Sequence, residues 1–117
     1  MARSSIEGRT ALVTGAAKGI GKAIALTLSD LGVKVAINYK TSAKEAECLV
    51  NSLQARDVDS ISIQADVSDR DQANNMVKTV IDEWGQIDIL VNNAGIINDG
   101  LLVRMSDEDW ETVRSGE

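Results

Sequence analysis

Three glycines and two lysines lie within eight residues of one another, at Gly15, Lys18, Gly19, Gly21 and Lys22. None of them is an acid, base or nucleophile of ordinary reactivity, so the chemistry they suit is the holding of an anion. The stretch Thr10 to Gly21 reads Thr-Ala-Leu-Val-Thr-Gly-Ala-Ala-Lys-Gly-Ile-Gly. Thr10 to Thr14 is a short apolar, β-branched run of the kind found in buried strands, and Ile20, Ile24, Leu28 and Leu31 recur at helical spacing directly after it. Strand, glycine turn and helix therefore follow without a gap. Gly15 can take the tight turn off the strand, Gly19 leaves room for a pyrophosphate against the backbone, and Gly21 permits close packing of helix on sheet. The free N–H groups and positive dipole end of the helix would then face the phosphate, with Lys18 and Lys22 adding charge. Glycine-rich turns also occur for geometry alone, so the neighbouring elements must decide between the two readings.

Composition limits what those elements can be. The chain has 117 residues, 44% of them hydrophobic, enough for one domain with a core of its own. Aromatic residues make up only 3% and Phe is absent, so Val, Ile, Leu and Ala must fill that core, as suits a parallel sheet covered by helices. Stacking platforms for single-stranded nucleic acid are lacking, and a net charge of -6 argues against a polyanion-binding surface. The charge is uneven: residues 1–44 carry +5 and residues 45–117 carry -11, so the basic end coincides with the glycine turn. With no His, neither a His-based triad nor a His metal site can form. Cys48 is the sole cysteine, which excludes an internal disulfide and fits a reducing compartment. Its neighbours Ala46, Leu49, Val50 and Leu53 place it on a half-buried helix face, where it is expected to be inert. No stretch reaches membrane-spanning length, and a cytoplasmic protein without membrane or nucleic-acid partners is expected.

After the first helix, Gly32 is a plausible stop, and Val33 to Asn38 reads as a second buried strand. Ser42-x-x-Glu45 has the spacing of a capping box at the start of a helix whose apolar face is Ala46, Leu49, Val50 and Leu53. Ser60 to Ala65 is a third strand. Ser68 is expected to cap the next helix, with Ala73, Met76, Val77, Val80, Ile81 and Trp84 inward and Asp71, Lys78 and Asp82 outward, before Gly85 ends it. Ile87 to Val91 is a fourth, strongly apolar strand, followed by Asn92-Asn93-Ala94-Gly95. A last helix over Ser106 to Arg114 would present Trp110 and Val113. Strands alternating with helices imply right-handed crossovers and a doubly wound parallel α/β sheet. Ligands bind such sheets at the strand C-termini where strand order reverses. First and fourth strands would be neighbours there, bringing Gly15 to Gly21 and Asn92 to Gly95 to one crevice.

These residues resemble the short-chain dehydrogenase/reductase family over nearly the whole chain. Thr14-Gly15-Ala16-Ala17-Lys18-Gly19-Ile20-Gly21 is similar to the family's Thr-Gly-x-x-x-Gly-x-Gly cofactor motif. Asp66-Val67 resembles its adenine-contacting pair, and Asn92-Asn93-Ala94-Gly95 its signature after the fourth strand. Ile96 to Met105, with Asp99-Gly100-Leu101-Leu102-x-Arg104-Met105, looks like the 3-oxoacyl-acyl-carrier-protein reductases within that family, which act in fatty acid synthesis. The resemblance implies a Rossmann-like fold occupying residues 1–117 as a single nucleotide-binding domain.

It also implies a cofactor. An NAD-preferring member would end the second strand with an acid that accepts from the ribose 2′-hydroxyl, whereas Tyr39 and then Lys40 occupy that place in this chain. Lys40 and Lys18 could each give a charge-assisted hydrogen bond to a 2′-phosphate, which favours NADP(H). Lys40 as a solvated turn residue is the other reading. Asp66 either accepts from the adenine amino group, with Val67 against the ring edge, or caps the turn that follows it.

The family's catalytic Ser and Tyr-x-x-x-Lys pair have no counterpart in these residues. The only tyrosine, Tyr39, has Ala43 four positions on. No catalytic residue and no metal ligand is therefore expected, and the sheet is expected to stop after the fourth strand, whether through natural truncation or because the chain is a fragment. The adenosine half of NADP(H) should bind better than the nicotinamide half, with negligible reductase activity. An unpaired fourth strand carrying Ile87, Ile89 and Val91 would favour a homodimer through that edge, or through the short helix containing Trp110. An acyl-carrier protein would be a partner only if the missing half were supplied. The alternative is a non-catalytic module that pairs with itself or with a full-length homologue.

Overall fold

The computed structural model describes residues 6–93 and the backbone of 102–105. Among these, five strands and three helices alternate: β1 (Thr10–Val13), α1 (Gly19–Asp30), β2 (Lys34–Tyr39), α2 (Ala43–Gln54), β3 (Ser60–Gln64), α3 (Arg70–Trp84), β4 (Ile87–Val91) and β5 (Leu102–Met105). They form one sheet in the order β3-β2-β1-β4-β5. β1 lies between β2 and β4 and is parallel to both, with Leu12 opposite Ala36 on one side and Leu90 on the other. The switch in strand order thus falls at β1, as the alternation of elements implies.

Side chains of a strand alternate between faces, and β1 shows how that divides the core. Ala11 and Val13 join Val35 and Ile37 beneath α1 and α2, which contribute Ala25, Leu28, Ala46, Leu49 and Leu53. Leu12 and Ala36 point the other way, against Met76, Val77 and Val80 of α3. All four residues of β1 are buried, so the strand carries no solvated face, and after Thr10 it is apolar.

Four helix details differ from the sequence reading. The inward face of α1 is Gly21, Ala25, Leu28 and Ser29, while Ile20 is 73% and Leu31 39% exposed. The helix is turned about one residue, near 100°, from the face the large apolar residues mark. Small residues face inward because the helix start lies almost on the backbone of the preceding turn. On α2, Ala46, Leu49 and Leu53 take the inward face, and Cys48 projects to the opposite side, exposed and not half-buried. Ser42 occupies the N-cap position of α2 with φ −92° and ψ 56°, away from the extended geometry that aims a cap hydroxyl at the first turn, and its side chain makes no cap bond. The cap of α3 is Asp69 in place of Ser68. Its carboxylate accepts from the Asp71 and Gln72 N–H groups at 3.0 and 3.2 Å. Gly32 and Gly85 terminate α1 and α3 in left-handed conformations at φ 85° and 88°.

The largest correction concerns β4. Its outer edge is not unpaired: β5 runs antiparallel along it, with Met105 opposite Ile87 and Leu102 opposite Val91. An antiparallel return needs only a short connection, whereas another parallel strand would need a full crossover. Residues 92–101 are long enough for the former. Ile87, Ile89 and Val91 are all buried, so the edge proposed for a homodimer is already satisfied within the chain. The expected Ser106 to Arg114 helix, with Trp110 and Val113, lies outside the described residues.

At the base of the sheet, remote from the strand C-termini, Asp88 is 4% exposed yet fully engaged. It accepts from the Thr10 N–H at 3.0 Å and from Gln86 Nε2 at 2.9 Å, and Arg9 Nη1 lies 3.5 Å away. This clamp fixes where β1 starts against β4. Removing the Asp69 cap should lower stability without touching the sheet: Asp69→Ala is expected to cost about 1 kcal/mol, read as a lower urea midpoint at an unchanged m-value.

Candidate functional site

Past Val13 the chain leaves the sheet at Thr14, which knits β1 to β4. The Thr14 N–H donates to the Val91 carbonyl at 3.0 Å. Its hydroxyl donates to Asn92 Oδ1 at 3.0 Å and accepts from the Asn93 N–H at 2.9 Å. Asn93 Nδ2 then donates to the Gly15 carbonyl at 3.2 Å. The described parts of the two turns expected to share a crevice do so, held by these direct hydrogen bonds. Ala94 and Gly95, named with them, lie outside the described residues.

The glycines divide the work. Gly15 has φ 59° and Gly19 φ 65°, a left-handed backbone that any side chain would strain. A Cβ on Gly19 would meet nothing within 4 Å, so the space over that residue is open. Gly21 is required for the opposite reason. A Cβ there would collide with the Gly15 carbonyl oxygen and lie 2.7 Å from Asn93 Nδ2. Helix α1 begins at Gly19 with no side-chain cap from Lys18, so its first-turn N–H groups have no acceptor inside the helix. Lys18 and Ile20 are exposed beside it, as is Lys22.

A cleft of about 230 Å³ adjoins this turn, lined by Gly15, Asn38, Lys40, Ala65, Asp66, Val67 and Ser68. It lies where β1, β2 and β3 all end. Tyr39 is half-buried, packs against the core beneath α1 and α2, and accepts the Ala65 N–H through its carbonyl at 2.9 Å. Lys40 is held at both ends. Its carbonyl accepts from Gln64 Nε2 at 3.0 Å, and its ammonium lies 3.5 Å from Asp66 Oδ2. Val67 is half-buried on the α3 side of the sheet.

Asp66 takes up the turn-capping role that the sequence left open. Its Oδ1 accepts from the Ser68 hydroxyl at 2.6 Å and the Ser68 N–H at 3.0 Å, while its own N–H donates to Gln72 Oε1 at 2.8 Å. The Ser68 side-chain and backbone bonds, with the Lys40 charge behind them, hold its carboxyl below the usual 3.8 in spite of its partial burial. Asp66 lines the cleft with Lys40, whose ammonium is 3.5 Å from Oδ2, so an acceptor role toward a ligand is compatible with the turn. Sequence reasoning missed Asn38 altogether. A buried Asn at the end of an apolar strand was the available signal, since such a side chain must find partners.

A doubly wound sheet with a glycine turn at its switch point and a cleft over the neighbouring strand ends defines a Rossmann-like domain. The sequence pattern of the short chain dehydrogenase family matches residues 9–115, and the chain belongs to that family. It is 49% identical over 105 residues to the 3-oxoacyl-[acyl-carrier-protein] reductase FabG of Staphylococcus aureus, covering 90% of this chain and 43% of the relative. A 3-oxoacyl-[acyl-carrier-protein] reductase of Synechocystis is 44% identical over 110 residues, or 94% and 44% of the two chains. Among solved structures, a short chain dehydrogenase from Burkholderia cenocepacia in complex with NADP superimposes with a TM-score of 0.75 at 45% identity, over 81% of this chain and 39% of the other. A blue fluorescent protein from a metagenomic library, in complex with NADPH, gives 0.76 at 38% identity, over 80% and 39%. The chain spans less than half the length of these relatives.

Two outcomes test this geometry. Gly21→Ala should destabilise the chain by about 1–3 kcal/mol through overpacking against the Gly15 carbonyl, measured by urea unfolding. Asp66, with its folded value depressed, should add stability that is present above its unfolded value near 3.8 and is lost as pH falls through the lower folded value. Ser68→Ala should move its NMR-detected titration upward toward the ordinary range.

Proposed function

We propose that this chain is the NADP(H)-binding portion of a short-chain reductase of the 3-oxoacyl-acyl-carrier-protein reductase type. The observation that carries the reading is that the glycine turn, open over Gly19, adjoins through Gly15 the cleft bounded by Lys40, Asp66 and Val67. A pyrophosphate suits the first and an adenosine the second. In this reading the N–H groups of Gly19, Ile20 and Gly21 receive the pyrophosphate, with Gly15 shaping the turn and Lys18 adding charge. Tyr39 ends β2 where a carboxylate would oppose a 2′-phosphate, and Lys40, with 67% of its side chain exposed, can turn its ammonium from Asp66 toward that phosphate. Asp66 Oδ2 accepts from the adenine amino group and Val67 packs on the ring edge. Asn92 and Asn93 hold the floor between β1 and β4, and Ala94 and Gly95 belong to the same sequence signature.

NADPH would supply the hydride for reduction of a ketone. The alkoxide so formed needs a positioned acid, which contributes about 10²- to 10⁴-fold. The single tyrosine, Tyr39, has no lysine four residues on, so the chain offers no Tyr-x-x-x-Lys acid. Catalysis on a 3-oxoacyl group carried by an acyl-carrier protein therefore requires residues that these 117 do not include. The alternative, a non-catalytic module pairing with itself or with a full-length homologue, cannot use a free fourth-strand edge, because β5 occupies it.

Calorimetric titration tests the reading. NADPH should bind saturably and more tightly than NADH, and Lys40→Ala should erase most of the difference, a loss of about tenfold for one charge-assisted contact. Gly19→Trp, which fills the open space over the turn, should abolish binding. NADPH and NADH binding equally well to the native chain would refute the assigned specificity, and ketoreductase turnover by this chain alone would refute the division of labour.

A further inference from the structure

Asn38 is 2% exposed at the end of β2, and its side chain bonds to the chain just past β1 and to β3 and the residue beyond it. Its Oδ1 accepts from the Gly15 N–H at 3.1 Å. Its Nδ2 faces the carbonyls of Ala65 at 3.2 Å and Ile63 at 3.4 Å on β3 and the turn beyond it. Its own backbone carbonyl accepts from the Ala16 N–H at 2.9 Å. The orientation of the amide is dictated by its partners, since an N–H must meet an oxygen and carbonyls must meet the NH₂. Aspartate would set a carboxylate oxygen against two carbonyls. An apolar residue would leave the Gly15 N–H and the carbonyls without that partner.

Two consequences follow from this placement. The N–H groups of Gly15 and Ala16 are both consumed by Asn38, so an anion over the turn is left to the N–H groups that come later, at the start of α1. The same side chain fixes the distance between the glycine turn and the Ala65–Val67 segment. We propose that Asn38 is the positioning residue of the site: it sets the spacing between the phosphate-binding turn and the adenine-binding cleft, and so governs ligands that span both. This rests on the cofactor reading above.

The test compares a ligand that spans both halves with one that does not. NADPH and adenosine 2′-monophosphate are titrated into the 117-residue chain and into Asn38→Ala. The expected result is a loss of about tenfold or more for NADPH, the scale of one or two buried hydrogen bonds, with adenosine 2′-monophosphate changed less than about twofold. Equal weakening of both ligands, or of neither, overturns the spacing role while leaving the cofactor reading intact. A native chain that binds neither nucleotide overturns the cofactor reading, and this inference with it. Amide exchange on the native chain keeps the inference testable should Asn38→Ala fail to fold. The Gly15 N–H should be protected without nucleotide, and the Ile20 N–H only once NADPH is added. A Gly15 N–H that exchanges freely until NADPH binds overturns the proposal.

Discussion

The site depends on how closely the first turn of α1 approaches the end of β1. That approach is set by Gly21, which leaves no room for a Cβ between the Gly15 carbonyl and the Asn93 amide. Bringing the helix so near aims its unsatisfied N–H groups at the space above the turn, where an anion gains both hydrogen bonds and the dipole. It also explains why α1 faces the sheet with Gly21, Ala25 and Ser29, and why Ile20 stands in solvent. A helix held at ordinary distance would have buried the larger residues and moved the N–H groups away.

Polar side chains hold the surrounding architecture at both poles of the sheet. Asp88 ties the start of β1 to β4, and Thr14 with Asn93 ties their ends. Between them, contacts are apolar and permissive. Hydrophobic layering decides which faces are covered, whereas these few directed bonds decide the register at which the two central strands meet. The Asn38 amide does the same for β2 and β3.

Much of this was legible from residue types and spacing. The strand and helix order, the neighbouring of β1 and β4, and the shared crevice of Gly15 and Asn93 followed from apolar periodicity and glycine placement. What escaped was set by tertiary contact. Periodicity marked Ile20 and Leu31 as inward because large apolar residues carry that signal, while a close approach selects small ones. Ser68 and Asp69 are both good caps by type, and only the path of the preceding turn hands the helix to Asp69, since Asp66 engages Ser68. The type and place of Asn38 gave a signal, but its partners could not be read because they lie 23 to 27 residues away in sequence. β5 was missed because a four-residue strand has no pattern of its own and exists by pairing with β4.

The position of β1 in the middle of the sheet has a consequence for the order in which the chain can assemble. β1, β2 and β3 lie within the first 64 residues and can pair as the chain emerges, but the other edge of β1 waits for β4. The bonds that join Thr10 to Asp88 and Thr14 to Asn92 and Asn93 span 78 or 79 residues. Closing so long a loop is entropically unfavourable and slow, and it comes after local pairing. The glycine turn therefore reaches its final shape late in folding. Until then a nascent chain presents an apolar, fully bondable strand at its edge, and the interval before Val91 leaves the ribosome is when this protein is most open to mispairing.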